Sequence, residues 1–222
     1  MNATALAPIL DVKDLCFAHP GQPALAAGWS ASIGAGVTLL YGDTGSGKST
    51  LLRLIAGRLP AEGSLTLAGA RLDAEPEAYH RNVFFCDPTT DAFDQVSAVE
   101  CTASLAAGDA SFSEAGWRTF VQGFALTPHL DKPMYMLSTG SRRKVWLAAA
   151  LASGRALTLL DEPTGGLDAA SIRFLWRACA CLAEGPDRAI VVASAAGIES
   201  VPLSGSIELP LRSTRHVGPC AK

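Results

Sequence analysis

Apolar residues recur with two different periods along this chain, and the switches between them mark out its elements. Ile9 to Phe17 alternates as a strand does, Ala24 to Ile33 follows more weakly, and Gly36 to Tyr41 is a short apolar run feeding a glycine-rich turn. Lys48 to Arg58 then takes helical spacing through Leu51, Leu52, Leu54 and Ile55, with Gly57 and Pro60 as stop signals. Gly63 to Gly69 and Asn82 to Cys86 read as strands. From Pro88 to Met136 the strand signal disappears, and helical patterns cover Ala98–Ala107 and Ser113–Ala125. Alternation resumes with a helix over Ser138–Ala152, a strand over Ala156–Leu160, a helix over Ala170–Ala183 and strands over Ala189–Ala193 and Gly205–Leu209. The pattern predicts an α/β fold: a mostly parallel sheet covered by helices, an antiparallel β region near the N-terminus and an all-helical insertion over 88–136. One domain over 6–212 and a polar tail over 213–222 are expected.

Composition narrows the class. Of 222 residues, 49% are hydrophobic and 18% charged, which excludes a disordered chain. The longest apolar run, Val145 to Ala152, falls well short of the roughly 20 residues a membrane span needs. Met1 to Leu10 carries no basic cluster ahead of an apolar stretch, so no secretion signal is read there. These features predict a soluble protein made inside the cell. A net charge of −3 disfavours a general nucleic-acid partner. The six cysteines form no CxxC pair, which points to reduced thiols rather than a zinc site or disulfide framework.

The strongest chemical signal is Gly42-Asp43-Thr44-Gly45-Ser46-Gly47-Lys48-Ser49, between a predicted strand and a predicted helix, with Thr50 directly following. Glycines let backbone N–H groups turn inward around phosphate oxygens, and the helix N-terminus adds partial positive charge. Lys48 brings a full charge to the β- and γ-phosphates, and the Ser49 hydroxyl is suited to Mg²⁺. A second signal is the strand that ends in Asp161-Glu162. It puts two carboxylates at a sheet edge, Asp161 suited to hold Mg²⁺ through water and Glu162 to polarise an attacking water. A third is Leu137-Ser138-Thr139-Gly140-Ser141, which opens an apolar helix 24 residues before Asp161.

Together these three elements resemble the ATP-binding cassette (ABC) family of P-loop ATPases, over nearly the whole chain from about Ile9 to Leu209. Leu137–Gly140 is similar to the family's signature motif, with Thr139 in place of the usual glycine and Ser141 in place of the usual glutamine. The resemblance implies that Ser138, the Gly140 amide and the helix dipole close on the γ-phosphate bound to an opposite subunit. It also implies that Asp168, in Pro163-Thr164-Gly165-Gly166-Leu167-Asp168, crosses a dimer interface, and that the 88–136 insertion docks on a membrane partner. The short chain bears a slight likeness to the haem-exporter ATPases of cytochrome c maturation.

Three positions depart from the family's pattern. His19 stands where an aromatic residue stacks on adenine, and Phe17 on the same strand is placed to help. Asp87, or Cys86 if the register shifts, stands where a glutamine touches Mg²⁺ and the attacking water, and Asp87 as a hard carboxylate is expected to ligate the metal. Ser194 stands where a histidine contacts the γ-phosphate, and a serine supplies neither the reach nor the charge of an imidazole. Slow hydrolysis is therefore expected. The basic run Arg142-Arg143-Lys144 reads as a solvated helix face, and Trp117, Trp146 and Trp176 read as packing residues. What the resemblance implies is an ATP- and Mg²⁺-dependent subunit on the cytoplasmic face of a membrane. Its partners would be a permease on a separate chain and a second ABC ATPase, identical or not. The alternative is a nucleotide-gated module, or the degenerate half of a heteromeric pair, with little hydrolysis of its own.

Overall fold

A computed structural model describes residues 8–198 and 201–211, so the expected tail over 213–222 lies outside the described residues. Strands β1 (Leu10–Ala18), β2 (Ala24–Ile33), β4 (Glu62–Leu67) and β5 (Ala70–Arg71) make an antiparallel sheet in the order β2-β1-β4-β5. A second, parallel sheet has the order β6-β7-β8-β3-β9, built from β3 (Gly36–Tyr41), β6 (Val83–Phe85), β7 (Leu157–Asp161), β8 (Ala189–Ser194) and β9 (Leu203–Glu208). The two sheets follow from their sequences. The central strands β3, β7 and β8 are nearly continuous apolar runs buried along their length, as strands covered on both faces must be.

Helix α1 (Lys48–Ile55) shares one core with both sheets. Its Leu51, Leu54 and Ile55 pack with Leu10 and Leu67 of the antiparallel sheet and with Leu40 and Val191 of the parallel one. It stops three residues short of the predicted end, because Gly57 adopts φ +67° and turns the chain away. Helix α2 (Pro76–Arg81) has no counterpart in the sequence reading. Helices α3 (Ala98–Ala106) and α4 (Glu114–Gly123) form the expected helical region, and no strand lies between 88 and 136. They pack, with α5 (Thr139–Ala152) and α6 (Ala169–Leu182), into a second core around Trp146, Leu147, Leu175 and Val192. Trp146 and Trp176 are buried there and Trp117 packs against it, as packing residues should. Among the described residues the cysteines are free thiols, and no helix is long and apolar enough to cross a membrane.

This topology fixes where chemistry can occur. Strands β3 and β7 run parallel on either side of β8, so the turns leaving their carboxyl ends open on the same edge of the sheet. Ligands of open α/β sheets bind at that edge.

Candidate functional site

The turn from β3 into α1 is shaped as a phosphate cradle. Gly45 and Gly47 hold φ of +81° and +100°, a region closed to most side chains. A Cβ on Gly47 would stand 2.5 Å from Leu25 Cδ1, so Leu25 of β2 forms a wall behind the turn that the sequence did not signal. The N-cap of α1 is Gly47 and makes no side-chain bond, which leaves the first N–H groups of the helix free for an anion. Ser46 Oγ is buried without a partner. Lys48 is only 6% exposed, and its ammonium donates to the carbonyls of Gly42 (2.8 Å) and Asp43 (3.1 Å). An open cleft of about 400 Å³ is lined by Thr44, Gly45, Gly47, Lys48, Ser49, Thr50, Glu162 and Ala195.

Two carboxylates follow from the end of β7, and Glu162 is the one that lines this cleft. Glu162 Oε1 lies 3.4 Å from Lys48 Nζ, and the Glu162 side chain is 44% exposed. Its backbone is unusual, with φ +41°, and is tied on both sides: its N–H donates to Ala193 O at 2.9 Å and its carbonyl accepts from Arg143. Asp161 is more deeply set. Burial pushes its carboxyl above the usual range, the Ser49 hydroxyl beside it pulls the other way, and Glu162 and Asp87 push it up further. Asp161 Oδ1 is buried and has no protein partner. A buried, unsatisfied carboxylate oxygen beside a hydroxyl suits a hard divalent cation such as Mg²⁺, so the residues present fit the metal.

Two expected site residues are turned elsewhere. Both oxygens of Asp87 are engaged, Oδ2 with Arg53 Nε at 2.8 Å and Oδ1 with the N–H (3.0 Å) and hydroxyl (2.7 Å) of Thr89. Burial alone would raise its carboxyl, but the Arg53 and Thr89 bonds outweigh that and hold it below the usual range. The carboxylate is thus paired within the chain, and its expected role as a metal ligand would require it to leave Arg53 or Thr89. Ser194 is buried at the end of β8 and its Oγ accepts from Ala196 N–H at 3.1 Å. The residue that reaches the cleft is Ala195, one position further on. The expected γ-phosphate contact from Ser194 would require its hydroxyl to leave the Ala196 N–H. His19 does come close, with Nε2 3.4 Å from Thr50 Oγ1 and its ring edge-on to Phe17 at 4.9 Å.

The signature segment stands apart. None of Ser138, Gly140 and Asp168 lines the cleft. Ser138 caps α5, its Oγ accepting from Ser141 N–H at 3.1 Å. Gly140 must lack a side chain because a Cβ would collide with the carbonyl of Gly166. Asp168 caps α6 through Ser171 N–H (2.8 Å) and meets Lys144 Nζ at 2.7 Å. The Lys144 bond, then those from Ser171, hold the Asp168 carboxyl far below its usual range. The basic run is not a solvated face, contrary to expectation: Arg142 pairs with Asp94, Arg143 with the Glu162 carbonyl and Lys144 with Asp168. Those partners lie 19 to 48 residues away in sequence, beyond the reach of any local pattern.

The description "ABC transporter" matches residues 29–165, more than half the chain. The chain belongs to the ABC transporter family. The chain is similar to the cytochrome c biogenesis ATP-binding export protein CcmA of Rhodospirillum rubrum, at 40% identity over 70% of this chain and 67% of that protein. It is similar to the ATP-binding cassette sub-family A member 7 of Rattus norvegicus, at 33% identity over 62% of this chain but only 6% of that much longer protein. A solved structure, described as the ATP binding subunit of an ABC transporter, superposes with a TM-score of 0.74. It is 24% identical, over 83% of this chain and 79% of that one, and bears on the fold. The ABC family binds ATP, and both the α/β P-loop fold and the likeness to CcmA expected from the sequence hold.

Proposed function

We propose that this chain is the ATP-hydrolysing subunit that powers a membrane-spanning permease carried on another polypeptide. The observation that carries the reading is the meeting of Lys48, Asp161 and Glu162 at one sheet edge, with Lys48 Nζ 3.4 Å from Glu162 Oε1 and Asp161 Oδ1 buried without a partner. In this reading the Gly42–Ser49 turn and the N-terminus of α1 hold the phosphates, and Lys48 exchanges its carbonyl partners for phosphate oxygens. Ser49 and Asp161 would hold Mg²⁺, which would supply charge neutralisation to the phosphates. Glu162 orients a water and takes its proton as the water oxygen bonds to the γ-phosphorus. The bond from that phosphorus to the β–γ bridging oxygen breaks, leaving ADP and phosphate. His19 and Phe17 take the adenine.

The signature residues complete a site on a second copy or a related ATPase. Ser138, the Gly140 amide and Asp168 lie off the chain's own cleft, which supports a head-to-tail pair closed by ATP and released by hydrolysis. The permease partner would hold the pair at the cytoplasmic face. The likeness to the R. rubrum protein makes a cytochrome c biogenesis export system the first partner to test. A second reading, a nucleotide-gated module with little turnover, is favoured by Asp87 locked onto Arg53 and Ser194 turned to Ala196.

Turnover of Mg-ATP by the purified chain separates the two, run beside Glu162→Gln and a direct nucleotide-binding assay. The motor reading expects binding in both proteins and turnover lost by about a hundredfold or more in the variant, the scale of losing a general base. Tight binding with turnover equal in both proteins would leave only the gated module.

A further inference from the structure

Helix α5 begins at the signature segment, yet its second turn grips the far side of the catalytic loop. Arg143 extends beneath that loop and donates to the carbonyl of Glu162. Gly165, which closes the same turn by donating to that carbonyl at 3.2 Å, leaves Arg143 its room. A Cβ there would stand 2.5 Å from Arg143 Nη1. One residue on, Lys144 holds Asp168 at 2.7 Å at the other end of the loop. Between the two cations, Gly140 rests on the Gly166 carbonyl with no room for a side chain. The first two turns of α5 and the segment 162–168 are thus fastened at three points into one body.

From this geometry we infer that Arg143 is a positioning residue for Glu162, and that it ties the orientation of that carboxylate to the placement of α5. Glu162 has φ +41°, a conformation that a non-glycine residue holds only where its surroundings impose it. Its backbone is anchored by Ala193 from the sheet, by Gly165 within its own turn and by Arg143 from the helix. The sheet anchor is fixed, so the helix anchor is the one that follows α5. Arg143 and Asp161 also line a common cavity of about 30 Å³, enough for a water. Arg143 Nε and Asp161 Oδ1 are both buried without a protein partner.

The inference rests on hydrolysis at Glu162, so the experiment reads both. Steady-state Mg-ATP turnover is measured for the full chain, Glu162→Gln, Arg143→Ala, Gly165→Ala and the double variant. Nucleotide binding and thermal unfolding are followed alongside. Arg143→Ala is expected to lower kcat about tenfold or more with KM within about twofold, the mark of a lost transition-state arrangement rather than lost binding. Gly165→Ala, whose methyl displaces the guanidinium from the other side, is expected to lower kcat comparably. It should cost nothing further once Arg143 is gone, because both substitutions break one contact. Should Arg143→Ala fail to fold, the Gly165→Ala measurement stands alone. Wild-type kcat in either single variant, or losses that multiply in the double one, would overturn the inference while leaving hydrolysis intact. Wild-type turnover no greater than that of Glu162→Gln would overturn the hydrolysis reading and the inference together.

Discussion

Asp87 and Ser194 stand one bond away from the roles their positions suggest, and in each case a neighbour explains why. Asp87 sits beside a guanidinium, so its charge is spent on Arg53. Because its folded pKa is depressed, the pair stabilises the protein at pH above the unfolded carboxylate value of about 4 and is lost as pH falls through the lower folded value. With Asp87 and Arg53 at 29% and 34% exposure, Asp87→Asn is expected to cost about 1 kcal/mol near neutral pH, a cost that shrinks only below about pH 4. Urea unfolding at several pH values measures it, and a deficit that persists unchanged at pH 3 would contradict the pairing. Lys48, Ser49, Asp161 and Glu162 were legible from sequence because all lie in short motifs whose spacing carries their chemistry. Arg143, Leu25 and the Arg53–Asp87 pair were not, because each is defined by a contact across at least 22 residues or by a backbone carbonyl. At the end of β8 it is Ala195 that lines the cleft while Ser194 Oγ turns to the Ala196 N–H, and a strand end does not announce which residue turns outward.

Elements with a clear apolar pattern were read from sequence, down to the three residues of β6, and those without one were missed. Helix α2 has six residues and one fully buried side chain, Tyr79, whose hydroxyl donates to the carbonyl of Ile55 at 2.7 Å near the end of α1. A single apolar position has no period, so PEAYHR carries no helical signature. Helix α5 shows the opposite case, with eight successive buried residues from Val145 to Ala152 and an end that the sequence marked at Ser153-Gly154. What holds that end comes from another element. Arg188, just before β8, donates to the carbonyls of Leu151 (3.3 Å) and Ala150 (2.7 Å) and to Thr158 Oγ1 (2.9 Å). It thereby places a cation at the negative end of the helix that carries the signature segment. Burial lowers the Arg188 pKa but leaves the group charged. Arg188→Ala is expected to cost about 3 kcal/mol, since it strands buried acceptors at a helix end. For a chain of this size that is a fall in Tm of about 6–12 °C, measurable by calorimetry. A loss within about 0.5 kcal/mol, the range of plain surface changes, would mean these carbonyls find other donors.

At the scale of the whole molecule, the sheet order explains what one chain can and cannot assemble. The alternation of strand and helix made the parallel sheet legible, and the parallel order makes the turns after β3 and β7 share an edge. Nothing in that order brings the N-terminus of α5 to the same cleft, and no signature residue lines it. The chain therefore carries the Gly42–Ser49 cleft and, elsewhere, the exposed N-terminus of α5, capped by Ser138. These two surfaces would be complementary, and an isologous pair related by a two-fold axis would set each against its counterpart on the other copy, with two nucleotides between them. On the proposed reading ATP is the glue, so the pair should form when Glu162→Gln preserves the nucleotide and fall apart when it is ADP. Light scattering with Mg-ATP is then expected to give twice the 23.0 kDa of the chain, and 23.0 kDa with ADP or after Lys48→Ala. Ser138→Arg puts a long side chain at the helix end while leaving the cleft residues in place, so that variant should bind ATP and stay monomeric. A dimer that forms equally with ADP, or that survives Ser138→Arg, would mean the copies meet through another face and the signature helix closes no nucleotide site.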